Sequence, residues 1–369
     1  MYSQTDIDEA VAAGAISADS ATALRAHIDR QRTLPAVDEE QFRLITGFND
    51  IFVSIAAAIL LFAVGWIGQS IGQAANLTVE GNGPSPLAPA LVAGTAWGLA
   101  LFFTAKRRMA LPSILLLLAF VGGVVGTAGF LQAIVLGGAQ FDDGRGHVVG
   151  GIVAAISAAV GAAAAYLHWR RFRVPITVAA GAASAAGIVA GLVLAGMGEG
   201  PQTRDVLLAL VLAMGVGVFL FAMRWDASDP QRVTRRSDVA FWLHLLAAPM
   251  IVHPVFTLLG LNDGDASVGE GLVVIVLYVA LAVTALAIDR RALLVSALAY
   301  VLFALNRLFE TVGAVQLNVA LTALVIGSAL LLLSAFWHQA RAAIVTRLPG
   351  GLQRRLPVLG DFALSPRPA

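Results

Sequence analysis

The sequence contains no cysteine, and this absence removes several kinds of chemistry at once. The chain can form no disulfide and offers no thiolate to a metal ion, an iron–sulfur cluster or a covalent catalytic mechanism. Charged residues are also scarce, at 13% of 369 residues, whereas soluble domains carry about 25%. So few charges would not cover the hydrated surfaces of two soluble domains of this total length.

Motifs of the common enzyme families are absent as well. The chain has no phosphate-binding glycine loop, no Gly-x-Ser-x-Gly elbow, no His-Glu-x-x-His and no paired acidic metal motif. We therefore predict no catalytic residues, no metal and no cofactor, although an intramembrane enzyme built from scattered residues stays open. The basic clusters are the size of loops, so nucleic acid is not expected as a partner.

What the chain has in excess is apolar sequence. Hydrophobic residues make up 58% of it, and glycine adds a further 37 residues. A helix needs about 20 apolar residues to cross a bilayer. Ten windows reach that length, over residues 51–72, 87–105, 111–136, 148–168, 174–197, 206–223, 239–261, 271–288, 292–311 and 314–337. The sequence therefore predicts an all-α, polytopic integral membrane protein with ten transmembrane helices.

The positions of the basic residues predict the orientation of these spans. Cytoplasmic loops of membrane proteins hold an excess of Lys and Arg. With the N-terminus inside, 21 of the 24 Lys and Arg residues fall in cytoplasmic segments, and the other three are Arg145, Arg204 and Arg307. The first fifty residues hold nine acidic residues and four Arg, with no apolar run typical of an export signal. We therefore expect both termini in the cytoplasm and a multi-pass protein of the bacterial inner (plasma) membrane.

A short cytoplasmic module precedes the spans. Gly14 ends a first predicted helix and Ser17 caps a second, which together predict a helical hairpin. The hairpin is too short to bury a core of its own, so it docks on the membrane domain, on another copy or on a cytoplasmic protein partner. The predicted segments are a hairpin over 1–34, a linker over 35–50, the ten-helix domain over 51–337 and a cytoplasmic amphipathic tail over 338–369.

The hairpin opens with three short blocks of sequence. These are Asp6-Ile7-Asp8-Glu9-Ala10-Val11, then Gly14-Ala15-Ile16-Ser17, then Ala21-Thr22-Ala23-Leu24. Together they resemble the opening module of the bacterial polytopic membrane proteins grouped as domain of unknown function 2157. The resemblance implies a bundle of short-looped spans behind the hairpin. It implies no catalytic residues, because that group has no assigned activity.

Polar side chains within the predicted spans mark a candidate site, because ionisable groups are expensive at membrane depth. His253 and Asn306 both lie about 21 Å from the start of their spans, and Arg307 and Glu310 share a helical face. We predict an outward-leaning, substrate-binding polar pocket between spans seven and nine, formed by His253, Tyr300, Asn306, Arg307 and Glu310, with Gln69 and Gln132 in the same outer layer. The alternative is that Arg307 and Glu310 extend to the outer headgroups while His253 bonds a neighbouring helix.

Two histidine pairs have simpler interpretations. His244 and His253 are nine residues apart, which places them on opposite faces of a regular helix and argues against one shared metal or haem. His168 and His338 stand beside Trp169 and Trp337 at predicted cytoplasmic ends, where interfacial anchoring is expected.

Glycines recur at the four-residue spacing that allows transmembrane helices to approach closely. The pattern occurs in Gly122-x-x-x-Gly126, in Gly146 to Gly150 and in Gly187-x-x-x-Gly191. The fifth span has almost no large side chains. We therefore expect it to lie centrally or at a subunit contact, which leaves a homo-oligomer open.

The function indicated best is that of a small-molecule transporter or permease-like protein. In span count the chain also resembles the drug/metabolite transporter superfamily, although residues 51–197 and 206–337 show no internal sequence match. The alternatives are a non-transporting membrane scaffold or sensor that binds a partner through its N-terminal hairpin and, less favoured, a lipid-modifying enzyme. Apart from such a protein, the expected partner is the lipid bilayer.

Overall fold

A computed structural model of the chain describes residues 11–24, 48–137, 146–197, 200–229, 232, 234–259, 268–291, 294, 298, 302, 318–353 and 356–357. The chain divides into two units, Met1–Phe42 and Arg43–Ala369. Each unit is described by itself below.

The described part of the first unit contains the predicted helical turn. Gly14 has a positive φ of 71°, and its N–H donates to the Val11 carbonyl at 3.0 Å. Ser17 accepts a hydrogen bond from the Ser20 N–H at 3.1 Å through its hydroxyl, as an N-cap does. These contacts confirm that Gly14 ends one helix and that Ser17 caps the next.

The second unit is a series of helices joined mostly by short connections. In chain order they are α1 (Phe48–Ala74), α2 (Leu87–Phe103), α3 (Ala110–Leu136), α4 (Gly146–Phe172), α5 (Ile176–Met197), α6 (Pro201–Ala227), α7 (Arg235–Leu258), α8 (Val268–Ile288), α9 (Asn318–Ala335), α10 (Trp337–Val345) and α11 (Gly350–Gln353). Within the described ranges no strand occurs. The all-α prediction is therefore confirmed for those residues.

Six described helices are long and apolar enough to cross a membrane, and α9 with α10, bent by 72° at their break, would make a seventh. This number is below the ten predicted spans. One reason is that α2 has 17 residues, or about 26 Å at 1.5 Å per residue, against a hydrocarbon core of about 30 Å. Another is that most of the predicted ninth window, 292–311, lies outside the described residues. What the structure supports is a helical protein with several helices that are long and apolar enough to span a membrane.

Helices α4 and α5 form the closest pair, because glycine lets their backbones meet. A Cβ atom at Gly191 would lie 2.7 Å from both the Ala155 nitrogen and the Gly151 oxygen. A Cβ at Gly187 would lie 3.1 Å from the Ala158 methyl group. The predicted packing motif Gly187-x-x-x-Gly191 is therefore confirmed, and α5 also contacts α3, α6 and α7.

The other two glycine patterns are confirmed only at Gly126, where an added Cβ would lie 3.2 Å from Pro89 of α2. Added Cβ atoms at Gly122 and Gly150 would meet nothing within 4 Å, whereas those at the next residues, Gly123 and Gly151, would approach backbone atoms of α2 and α5 within 2.6 Å. A helix turns by about 100° per residue, so one step along the chain moves a glycine to another face. Spacing alone does not identify which of two adjacent glycines packs.

One end of the bundle, which we call the basic end, is formed by the connections 104–109, 173–175, 228–234 and 289–291. These connections carry Lys106, Arg107, Arg108, Arg173, Arg232, Arg290 and Arg291. Helices α6, α7, α8 and α10 bury Ala248, Leu286, Ile288 and Trp337 in one hydrophobic cluster there. The polar groups described next lie directly beside this cluster.

Candidate functional site

A buried carboxylate stands at the end of α6. Asp226 lies one residue before the helix ends and is only 3% exposed. The connection that follows is fixed by Asp229, whose carboxylate accepts hydrogen bonds from the Thr234 N–H at 2.9 Å and hydroxyl at 2.7 Å. Thr234 in turn caps α7 by accepting from the Arg236 N–H. The chain therefore returns at once, and α7 runs back alongside Asp226.

Arg290 neutralises this carboxylate from the end of α8. Its Nη2 lies 2.5 Å from Asp226 Oδ1 and its Nε lies 3.3 Å from Oδ2, in a two-pronged contact. Nη2 also donates to the Ser237 carbonyl at 3.2 Å. The backbone at the end of α8 directs the Arg290 side chain toward Asp226. Asp289 adopts a left-handed φ of 57°, and the Arg290 N–H donates to the Ala285 carbonyl at 2.9 Å, which ends the helix.

His244 is the third member of what we call the Asp226 triad: Asp226, His244 and Arg290. It lies in α7 with no exposed surface, and its Nε2 is 3.0 Å from Asp226 Oδ2. The ring packs edge-on against Phe219, with centroids 5.2 Å apart. Because a carboxylate only accepts, Nε2 carries the proton in the neutral ring and Nδ1 holds a lone pair. Within the described part of the chain, Nδ1 is buried and has no hydrogen-bond partner.

A second polar group, the Asp289 cluster, adjoins the triad through the Asp289–Arg290 peptide. Arg232 Nη1 lies 2.9 Å from Asp289 Oδ2, and the Trp337 indole N–H donates to Oδ1 at 2.7 Å. Arg341 Nε is 3.7 Å from the same Oδ1, and its Nη2 donates to the Pro357 carbonyl at 2.6 Å. The cluster therefore ties α8, α10 and the chain beyond α10 together.

The surroundings of Asp289 keep it ionised. Burial by itself raises the pKa of Asp289, but the positive charges of Arg232 and Arg341 and the hydrogen bond from Trp337 outweigh burial, so the pKa lies below its usual value. Together the triad and the cluster bring two carboxylates, three guanidiniums and an imidazole together from α6, α7, α8, α10 and the connections beside them. Such a set can bind a proton, hold a polar solute or lock helices in one arrangement. No group of three metal-ligating side chains occurs among the described residues.

The predicted outer pocket is described only in part. His253 is exposed, and its carbonyl accepts a hydrogen bond from the Thr257 hydroxyl at 2.8 Å. Four predicted members of the pocket, Tyr300, Asn306, Arg307 and Glu310, lie outside the described residues. The pocket therefore stays a prediction. The opposite placement of His244, which is buried, and His253 agrees with their nine-residue spacing.

The two amides predicted for the outer layer form hydrogen bonds within the bundle. Gln69 donates to the Gly83 carbonyl at 3.0 Å and accepts from the Ser85 N–H at 2.8 Å, which closes the connection between α1 and α2. Gln132 donates to the Ser157 hydroxyl at 3.0 Å and so joins α3 to α4. These contacts give both amides a structural part in the bundle.

The interfacial position expected for His168 is wrong. Its ring is fully buried, with centroids 4.6 Å from Phe172, 6.0 Å from Phe120 and 6.2 Å from Trp97. Its Nδ1 lies 3.3 Å from the Thr177 hydroxyl. Trp337 is also buried, because its indole N–H binds Asp289 instead of reaching toward headgroups. Nearby aromatic and polar partners therefore draw both side chains inward.

Sequence reasoning missed the Asp226 triad because it counted Asp226 and Arg290 as loop charges. One signal was available: Asp226 directly follows Trp225 in the last turn of an apolar helix, at an end where basic residues dominate. An acidic residue in that position is a candidate partner for a buried arginine.

Comparisons with known proteins supply no relative. No protein-family model matches the chain, and no curated protein and no solved structure matches it. The resemblance of the N-terminal module to the domain of unknown function 2157 therefore stays a prediction, and the function has to be inferred from the site itself.

Proposed function

We propose that the chain is a small-molecule transporter of the bacterial inner membrane and that the Asp226 triad is its functional centre. The observation that carries the proposal is the complete burial of an imidazole, a carboxylate and a guanidinium between apolar helices. Ionisable groups inside membrane domains face solute or ion pathways in most proteins that keep them.

A purely structural triad accounts less well for the same geometry. Buried ion pairs contribute little net stability, because the loss of hydration offsets the Coulomb attraction. A network that only held helices together would also be expected to satisfy its polar atoms, yet within the described residues His244 Nδ1 has no partner. The open Nδ1 gives the triad an acceptor at which a proton or a hydrogen-bond donor can bind.

The proposal includes ten spans with both termini inside. Support for a ninth crossing comes from the direction of α8 and α9. Ile275, Leu277, Tyr278 and Leu281 of α8 belong to the same hydrophobic cluster as Ile326 and Leu330 of α9. Leu286 and Ile288 belong to the same cluster as Leu333 and Trp337. The two helices therefore run in the same direction, which supports the ninth crossing in this proposal.

The positive-inside rule then sets the side on which the triad lies. The basic end faces the cytoplasm, because it holds the arginine-rich connections. Asp226, His244 and Arg290 would meet solutes from the cytoplasmic side, while the predicted pocket around His253 and Arg307 would lie toward the outside.

Uptake into proteoliposomes tests the proposal. Purified protein would be assayed with radiolabelled amino acids, short carboxylic acids, sugars and organic cations. We expect uptake of one class above protein-free liposomes, at least a tenfold loss in Asp226→Asn, and near-normal uptake in Asp205→Asn, an exposed carboxylate at the other end of α6. Uptake equal to that of protein-free liposomes for all four classes would contradict a transporter.

A second candidate function is a scaffold or sensor that binds a cytoplasmic protein through the N-terminal hairpin. The observation that favours it is the division of the chain between Phe42 and Arg43, which makes the hairpin a unit of its own. A single cysteine at exposed Ala23 and a thiol-reactive photo-crosslinker test it in cells. A scaffold predicts one major protein adduct with full-length protein, and its absence argues against this function.

A further inference from the structure

Three buried polar atoms along α7, α8 and α9 have no hydrogen-bond partner within the described part of the chain. They are His244 Nδ1, the Tyr278 hydroxyl and the Thr322 hydroxyl. His244 and Thr322 are 0% and 4% exposed. Native proteins satisfy nearly all such atoms with protein or water, so each of these three atoms is a place where a water or a proton is expected.

The packing places these atoms along one interior. Phe219 contacts the His244 ring and also packs on the hydrophobic cluster of Ala248, against which Tyr278 packs as well. Tyr278 packs in addition on the next cluster, which contains Ile326. Thr322 lies one turn before Ile326 in α9. The three side chains therefore follow one another inward from the basic end.

The charges around His244 determine what its Nδ1 can accept. Asp226 reaches it from α6, Arg290 from the end of α8 and Arg232 from the connection between α6 and α7. Each guanidinium already has a carboxylate, since Arg290 pairs with Asp226 and Arg232 pairs with Asp289. Asp238 of α7 lies in the field of Arg290 as well. With these cations paired, Asp226 is the carboxylate beside which a positive charge at His244 would lie.

We propose that His244 Nδ1 is the proton-binding atom of this centre and that a proton is the coupling ion of the transporter. The inference rests on the transport function proposed above. Asp226 holds the Nε2–H tautomer and so keeps the Nδ1 lone pair available. A proton from solution adds to that lone pair, one N–H bond forms, and the Asp226 carboxylate is then shared between the imidazolium and Arg290. The proton leaves from the same atom, and the Tyr278 and Thr322 hydroxyls, which can both donate and accept, extend the polar path inward.

Charge displacement on a solid-supported membrane tests proton binding without any substrate. A pH jump applied to adsorbed proteoliposomes should give a transient current in the wild type. We expect His244→Gln to reduce the current to the level of protein-free liposomes. His147→Gln, the same change at the start of α4, should leave it within twofold of the wild type. A His244→Gln current equal to that of the wild type would overturn the proposal.

A second measurement needs no variant and therefore does not depend on correct folding of His244→Gln. His244-Leu245 is the only His-Leu step in the sequence, so labelling with ¹³C-histidine and ¹⁵N-leucine selects His244 in solid-state NMR, and ¹⁵N in the rings reports their protonation. We expect an Nε2–H ring with unprotonated Nδ1 at neutral pH and a doubly protonated ring after acidification. An Nδ1–H tautomer at neutral pH would overturn the proposal.

The two proposals fail in different ways. Substrate uptake that persists in His244→Gln and does not depend on an imposed pH gradient would contradict proton coupling but agree with the transport function. A pH-jump current that depends on His244, with no uptake of any solute class, would support the proton site but contradict the transport function.

Discussion

Arg290 and Asp226, which are 64 residues apart in the chain, form a buried ion pair that joins the ends of α6 and α8. Both side chains are 2% exposed. His244 binds the same carboxylate from a third helix. The pair therefore fixes α6, α7 and α8 relative to one another at the basic end, and removing one partner leaves the other charge in an apolar environment.

We predict that Asp226→Leu lowers the free energy of unfolding by about 3–5 kcal/mol, because it leaves Arg290 buried without a counter-charge. Arg290→Met should cost a similar amount. The double variant should be more stable than either single one, since apolar residues in place of both partners remove the uncompensated charge. Equilibrium unfolding by SDS titration in mixed micelles, followed by tryptophan fluorescence, measures all three. A double variant whose loss equals the sum of the single losses would show that the two side chains do not interact.

Asp289 predicts a pH dependence with a defined sign. Its pKa in the folded protein lies below the usual value because of Arg232, Arg341 and Trp337. Its contribution to stability is therefore complete above the unfolded-state pKa of about 3.9 and is lost as the pH falls through the lower folded-state pKa.

The measurement is the difference in melting temperature between the wild type and Asp289→Asn as a function of pH. We expect a constant difference from pH 8 to about pH 5 and a decrease below about pH 4, where the carboxylate of the wild type becomes protonated in both states. A difference that grows with acidification would contradict the assigned ion pairs.

The helices could be predicted from the sequence because each depends on local composition. Nine of the ten apolar windows coincide with described helices, and Gly14 and Ser17 bound the N-terminal turn as expected. The Asp226 triad could not be predicted in the same way. Its members belong to three separate helices or helix ends, and hydropathy and charge counting treat each segment alone. That Arg290 folds back toward the bundle depends on the left-handed Asp289, which no composition rule indicates.

The glycines also show what sequence patterns do not predict, here within single helices. The sequence pattern correctly located close packing at Gly191 and Gly126, but it chose Gly122 and Gly150 where Gly123 and Gly151 make the contacts. Which face of a helix meets a neighbour depends on the packing of the whole bundle.

We predict that Gly191→Ala destabilises the protein by about 1–3 kcal/mol, because the added methyl group would lie against backbone atoms of α4 that have no free side-chain rotation to yield. Gly196→Ala is the matched control in the same helix, since nothing lies within 4 Å of its added Cβ. Alanine is a better helix former than glycine by about 1 kcal/mol, so the control should be neutral or slightly stabilising. Thermal unfolding in one detergent compares the two. Equal melting temperatures would contradict the close approach of α4 and α5.

The ten-span topology can be tested without engineering a cysteine-free background, because the natural sequence has no cysteine. Single cysteines would be placed at Asn82 between α1 and α2, at Arg236 in the first turn of α7, at Asn318 at the start of α9 and at Leu352 in α11. A membrane-impermeant maleimide should label Asn82→Cys and Asn318→Cys from the periplasmic side, and Arg236→Cys and Leu352→Cys only in inverted vesicles. The decisive position is Asn318. The proposed ninth crossing places Asn318 on the periplasmic side, so labelling of Asn318→Cys only in inverted vesicles would contradict that crossing. It would leave the parts of the topology reported by Asn82 and Arg236 intact.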